Sequence, residues 1–261
     1  LYYKIMKNFK YLLIQARTES DPMAKHEQLC FSRTLHCHTN QITCIDIIRE
    51  VLKKDDIEKF DAVLIGGSGD YSIAQGGEWM KKVLSFMRFL YKESKVTFAS
   101  CWGFQAMAKA LGGEVRKDLD KAELGTTELF LTQDGKHDTI FRKLPKKFLC
   151  QMGHEDIVTT LPKDAILLAS SKKVKNEAFK FKKKPIYCTQ FHPELNTSDL
   201  KKRIQTYPNY INEILGIRIA STLNLAYYHH LMNIMREKIN QGEFYEWSKL
   251  TLKQMKSLKG M

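Results

Sequence analysis

Short apolar runs alternate with helix-period segments along most of the chain, and this alternation restricts the possible architectures sharply. "KYLLIQ" (10–15) is an apolar run followed by a polar stretch, the pattern of a buried strand entering a loop. "FDAVLIGGSGDYSI" (60–73) is a second strand that ends in a glycine loop. In "GEWMKKVLSFMRFLYKES" (77–94), Met80, Val83, Leu84, Met87, Phe89 and Leu90 recur at helical spacing. "KVTFAS" (95–100) then reads as a strand and "WGFQAMAKALGG" (102–113) as a helix closed by glycines. "TELFLTQ", "AILLAS" and "KPIYCTQF" are shorter strands, and "DTIFRKLP" a loop with a helical turn. Strands alternating with helices predict an α/β fold, a doubly wound and largely parallel sheet flanked by helices.

From about Ser198 the texture becomes periodic and helix-forming, broken near Pro208 and Gly216. The expected organisation is an α/β domain over 8–197 and a helical C-terminal extension over 198–261. The opening "LYYKIM" is expected to be peripheral. No apolar run approaches the ~18 residues of a membrane span, and the basic N-terminus lacks a secretory cleavage pattern, so a cytoplasmic protein is expected.

The formal net charge is +13. The basic residues are diffuse, however, and the densest cluster, "SKKVKNEAFKFKKKP" (171–185), lies between two strand-like runs. A solvated hairpin accounts for it better than nucleic-acid binding. Six cysteines are spread through the chain, which favours reduced thiols over a disulfide framework. "CFSRTLHCHTNQITC" crowds Cys30, His36, Cys37, His38 and Cys44, but in no zinc-binding spacing. His36 and His38 there fit the alternation of a strand, and neither a metal nor a cofactor is expected.

Reactive groups in a doubly wound sheet gather beyond the carboxyl ends of the strands. Three segments end there: the glycine loop after "AVLI", Cys101 after "VTFAS", and His192 after "IYCTQF". Ala99, Ser100 and Gly103 are small enough for an abrupt strand-to-helix turn at Cys101. A helix N-terminus there favours a thiolate and leaves the Trp102 N–H free to meet an oxyanion. Taken alone, the thiol could equally be a buried packing residue. "QFHPEL" (190–195) tilts the balance, because His192 and Glu194, two apart at a strand end, can project to one side. A histidine that takes a thiol proton needs an orienting partner on its other nitrogen, which Glu194 could supply, with Pro193 restraining the backbone between them.

"SCWGFQ" followed by "QFHPE" resembles the class I (triad) glutamine amidotransferase domain over residues 8–197. The resemblance implies a flavodoxin-like sheet and hydrolysis of the glutamine side-chain amide through a thioester. Cys101 would be the nucleophile, His192 the general base and then acid, and Glu194 the orienting carboxylate. "LIGGSGD" resembles the family's glycine loop, so Gly67 N–H would join that of Trp102 as the oxyanion hole. "KAELGTTEL" and "QMGHEDIVTTLP" are similar to segments that hold glutamine, which implies a pocket bordered by Gln105, Glu123, Gly125, Met152, Gly153 and His154. The chain departs from the family in Ser68 after the glycine pair, in Ala99 for glycine, in Phe104, and in Gly153 where serine is frequent.

The resemblance implies a glutaminase that passes ammonia to a separate synthase partner, since no ATP-binding signature follows. The alternative is a stand-alone γ-glutamyl amide or peptide hydrolase with the same triad, because "RTESDPMAKHEQLCF" (17–31) resembles small stand-alone members labelled GMP synthase-like. A silent module whose basic surface meets nucleic acid is disfavoured by the intact Cys101, His192 and Glu194. The C-terminal helices offer a surface for a synthase or for a homo-oligomer. Activity is expected to fall at acid pH as the thiol–imidazole system protonates.

Overall fold

A computed structural model of the chain describes residues 9–207 and 232–249. The chain divides into two compact units, Leu1–Pro208 and Asn209–Met261. In the first, nine strands form one sheet in the order β2-β1-β3-β4-β11-β10-β9-β6-β7. β1 (Tyr11–Gln15), β2 (Ile42–Asp46), β3 (Ala62–Ile65), β4 (Thr97–Ser100) and β11 (Ile186–Thr189) are parallel neighbours. β10 (Ala178–Phe181), β9 (Ala165–Ser171), β6 (Glu123–Leu131) and β7 (Lys147–His154) continue the sheet antiparallel. β5 (Glu114–Lys117) and β8 (Asp156–Thr160) pair separately.

β1 is buried at every position, which is why its sequence is a continuous apolar run rather than an alternation. Its side chains nevertheless separate by pleat. Leu12 and Ile14 join the core that includes Val83, Met87 and Leu90 of α3 (Met80–Lys92) and Phe104 and Met107 of α4 (Trp102–Ala110). Tyr11 and Leu13 meet Phe31 of α1 (Met23–Thr34) on the other face. Helices therefore cover both faces, as the doubly wound pattern requires. Leu129, Phe141, Met152, Leu168 and Phe191 build a separate core in the antiparallel half.

Three local expectations are corrected. The polar stretch after β1 contains α1, started by Asp21, whose Oδ1 accepts the Met23 N–H at 2.8 Å. Cys30 is therefore helical, and His36 sits at φ +52° in the turn that ends the helix, so His36 and His38 precede β2 rather than forming a strand. The first unit also extends past 197 to include α6 (Thr197–Thr206), which follows the short helices α2 (Lys54–Glu58) and α5 (Gln133–His137). Asn196 caps α6 by accepting the Asp199 N–H at 2.9 Å. Of the expected extension, 232–240 and 244–249 are helical. Residues 208–231 and 250–261 lie outside the described residues, as does the N-terminal "LYYKIM". No described helix is long and apolar enough to cross a membrane.

Candidate active site

Sheet register brings the three expected segments together. β4 lies between β3 and β11, with Ala99 opposite both Ile65 and Cys188. The glycine loop, Cys101 and His192 follow directly from these strand ends.

Cys101 occupies the turn between β4 and α4 at φ +52°, ψ −102°, a strained conformation for a residue with a side chain. Its N–H donates to Thr189 O at 2.7 Å, and its carbonyl accepts the Gln105 N–H at 3.1 Å, the first bond of the helix. Gly103 is required next to it: an added Cβ would lie 2.7 Å from Ile65 Cγ2 and 3.0 Å from Ile65 O. The Trp102 N–H stands at the first helical position, where no intrahelical acceptor exists.

His192 Nδ1 lies 2.6 Å from Glu194 Oε1, and both residues are buried. The segment is fixed by a bridge to β7, in which the His192 N–H donates to Gln151 O at 3.0 Å. Arg33 of α1 also donates to Glu194 O at 3.1 Å. Burial opposes a charged imidazole, but the Glu194 carboxylate and the Cys101 sulfur outweigh it and push His192 up to about 9. Geometry and charge thus pair an oriented histidine with a sulfur at an elbow, the arrangement of nucleophilic acyl transfer.

The thiol points at Gly153 O (3.6 Å) and receives the Gln190 amide at 3.7 Å. Gln190 in turn accepts from Gln105 Nε2 at 3.2 Å, and Gln105 also donates to Asp156 O at 3.0 Å. Gln105 is therefore tied to the sulfur through Gln190. Gln190 lies inside the quoted "QFHPEL", yet its role is not legible there, because its partner Gln105 comes from a helix far away in the chain.

The glycine loop sits differently from expectation. The Gly67 N–H donates to Glu27 Oε1 at 3.0 Å, so this expected oxyanion donor is engaged by a carboxylate in the present conformation. Gly67 still borders the site, since a Cβ there would lie 3.0 Å from His192 Cε1 and 3.8 Å from Cys101 Cβ. Glu27 is fully buried and also accepts from Gln15 Nε2 (2.9 Å), Arg17 Nε (3.1 Å) and Arg17 Nη2 (3.0 Å). Burial would raise its carboxyl, but Arg17 and Arg203 outweigh that and hold it at about 2. Nothing in the spacing of α1 marks Glu27, because its partners come from β1 and the turn after it, the glycine loop and α6.

Glu123 and His154 face each other across β6 and β7, with Oε2 and Nε2 3.4 Å apart. Gly125 adopts φ +106° opposite Met152, whose side chain is buried in the core of the antiparallel half. Glu177, just before β10, is fully buried beside Glu123 and Cys101, and burial together with the Glu123 carboxylate pushes its own carboxyl well up. It comes from the lysine-rich segment read as a solvated hairpin. Lys172, Lys173, Lys175, Lys182 and Lys183 are exposed, whereas Glu177 turns inward.

The description "Glutamine amidotransferase class-I" belongs to the family model that matches residues 25–206. The chain is 32% identical over 157 residues to a subunit of GMP synthase (glutamine-hydrolyzing) from Sulfolobus acidocaldarius, covering 60% of this chain and 78% of that protein. It is 30% identical over 155 residues to the corresponding protein from Sulfurisphaera tokodaii, covering 59% and 77%. In fold it is similar to a glutamine amidotransferase from Thermotoga maritima, with a TM-score of 0.63 at 20% identity over 79% of this chain and 85% of that one. With the family model matching residues 25–206, the chain belongs to the class I glutamine amidotransferase family.

Proposed function

We propose that the protein hydrolyses the side-chain amide of glutamine through a Cys101 thioester and passes the ammonia to a separate synthase partner. The observation that carries this reading is the buried His192–Glu194 bond at 2.6 Å behind a cysteine on a strained elbow. The Cys101 sulfur attacks the amide carbon, His192 delivers a proton to the departing ammonia, and the thioester remains on the enzyme. His192 then takes a proton from water as it attacks the thioester, which releases glutamate and restores the thiol. The relatives, themselves subunits of GMP synthase, support a synthase as the owner of the acceptor site.

The oxyanion of each tetrahedral intermediate is met by the Trp102 N–H and by Gly67 once its peptide leaves Glu27. Gly125, Gly153 and the backbone at Met152 border the substrate, with Glu123 and His154 forming the wall behind them. Gln105 positions Gln190 against the sulfur.

Glutamate release from glutamine, and from γ-glutamyl dipeptides in parallel, tests the reading. Turnover of glutamine that is lost in Cys101→Ala is expected. Turnover of dipeptides with none of glutamine would replace the amidotransferase reading with the stand-alone hydrolase. Activity that survives Cys101→Ala would remove the triad altogether.

A further inference from the structure

Two clusters in the described residues bring histidine, cysteine or carboxylate groups within reach of one another. In the first, His26, Cys30 and Asp199, the charge is already met: Arg33 pairs with Asp199 at 2.5 Å, and Arg203 acts on His26. The second, Glu123, His154 and Glu177, has no lysine or arginine paired with it among the described residues.

All three residues of the second cluster are buried, and their ligand atoms lie within 4.8 Å of one another. Neither oxygen of Glu177 receives a hydrogen bond from a neighbouring donor group, and Glu123 Oε2 stands 3.4 Å from His154 Nε2. Burial and the neighbouring Glu123 carboxylate push the Glu177 carboxyl well up, so a proton or a cation must stand between the two acids, and a cation there displaces that proton. The two carboxylates here face a ring nitrogen, so a positive species at the centre would satisfy the whole group. The spacing has the scale of a shared ion: two ligands of a tetrahedral zinc at about 2.0–2.1 Å lie about 3.4 Å apart. Glu123 Oε2 and His154 Nε2 are separated by 3.4 Å.

The outer contact of His154 favours the same arrangement. His154 Nδ1 lies 3.2 Å from Asp156 O, an acceptor that fixes the proton on Nδ1 and leaves the Nε2 lone pair directed at Glu123. Two carboxylates with one imidazole are a donor set suited to zinc or manganese, and a divalent ion balances the two negative charges.

From this geometry we infer that Glu123, His154 and Glu177 form a binding site for a divalent cation of the zinc class. His154 directly follows Gly153, whose carbonyl accepts the Cys101 thiol, so the ion braces the β6–β7 wall of the pocket. Glu177 is the residue that creates the site, because it converts a histidine–carboxylate pair into a three-ligand set.

Zinc also binds thiols, so the test uses full-length Cys101→Ala and compares it with Cys101→Ala/Glu177→Gln and Cys101→Ala/His154→Gln. Each protein is dialysed against zinc at about pH 7.5, above the range where a histidine ligand is protonated, and freed of loose metal. Its metal content is then measured by mass spectrometry (with circular dichroism to check folding). One zinc more per chain in Cys101→Ala than in the folded double variants supports the site. Equal zinc content in Cys101→Ala and either folded double variant overturns it, as does no retained zinc in Cys101→Ala. In those cases a proton shared between Glu123 and Glu177 takes the ion's place. If neither double variant folds, cobalt absorption of Cys101→Ala decides: a bound-cobalt visible spectrum without thiolate charge transfer supports the site, and its absence overturns it. The glutaminase reading is scored by glutamate release and is untouched by either result.

Discussion

Glu194 controls the proton on His192, and the effect is measurable on a single ring. With Glu194 at 2.6 Å, His192 is pushed up to about 9. In Glu194→Gln the NMR titration of His192 is expected to move down toward the ordinary histidine range, and kcat to fall by roughly 10²–10⁴, the scale of a lost acid–base catalyst. An unmoved titration would refute the pairing. The shift also sets a sign for stability. A folded-state pKa above the unfolded value stabilises fully below the ordinary 6.5 and loses that contribution as pH rises through about 9. Urea midpoints of the native chain should therefore decline between these values, and those of Glu194→Gln should decline less. Glu27 acts with the opposite sign. Its carboxyl is held at about 2 against an ordinary 4.5, so its contribution is present above 4.5 and lost as pH falls through about 2. Glu27→Gln removes one of the two carboxylates paired with the buried Arg17, leaving Asp21 at 2.9 Å, and is expected to cost about 1–3 kcal/mol, read by urea denaturation near neutral pH.

The elbow between β4 and α4 works because the neighbouring strand leaves no room for a side chain. Gly103→Ala places a methyl against Ile65 on β3 and is expected to destabilise by roughly 1–3 kcal/mol through overpacking, while also shifting Cys101. A native denaturation midpoint with native activity would contradict that account. Deeper in the same helix, Phe104 is fully buried with its ring 5.0 Å from that of Phe179 on β10. Phe104→Ala should lose about 3–5 kcal/mol, again by denaturant midpoint. The elbow was legible because its small residues, Ala99, Ser100 and Gly103, are close together in sequence. α1 was not legible: its buried residues include His26, Glu27 and Ser32 beside Met23, Cys30 and Phe31, so polar side chains interrupt the apolar period. The buried charge of Glu27 is tolerated because partners from β1, the glycine loop and α6 meet it.

For the whole chain, the first compact unit ends at Pro208 and contains every residue of the proposed site. α6 belongs with it, since Asp199 pairs with Arg33, Arg203 lies near Glu27, and the Tyr207 hydroxyl donates to Asp21. A chain ending at Pro208 is expected to unfold in one cooperative transition, whereas one ending at Thr197 should be destabilised by loss of these contacts, as circular dichroism melts would show.

The order of residues along the chain was enough to establish the alternation that yields the doubly wound sheet, the cysteine elbow and the His192–Glu194 pair, because each is encoded by residues close together. It took the packed fold to show that Gly67 is held by Glu27, that Gln190 links Gln105 to the sulfur, and that Glu177 leaves a lysine-rich hairpin to face Glu123 and His154. These arrangements depend on which buried charges and amides meet across strands far apart in sequence, and periodicity carries no information about such meetings.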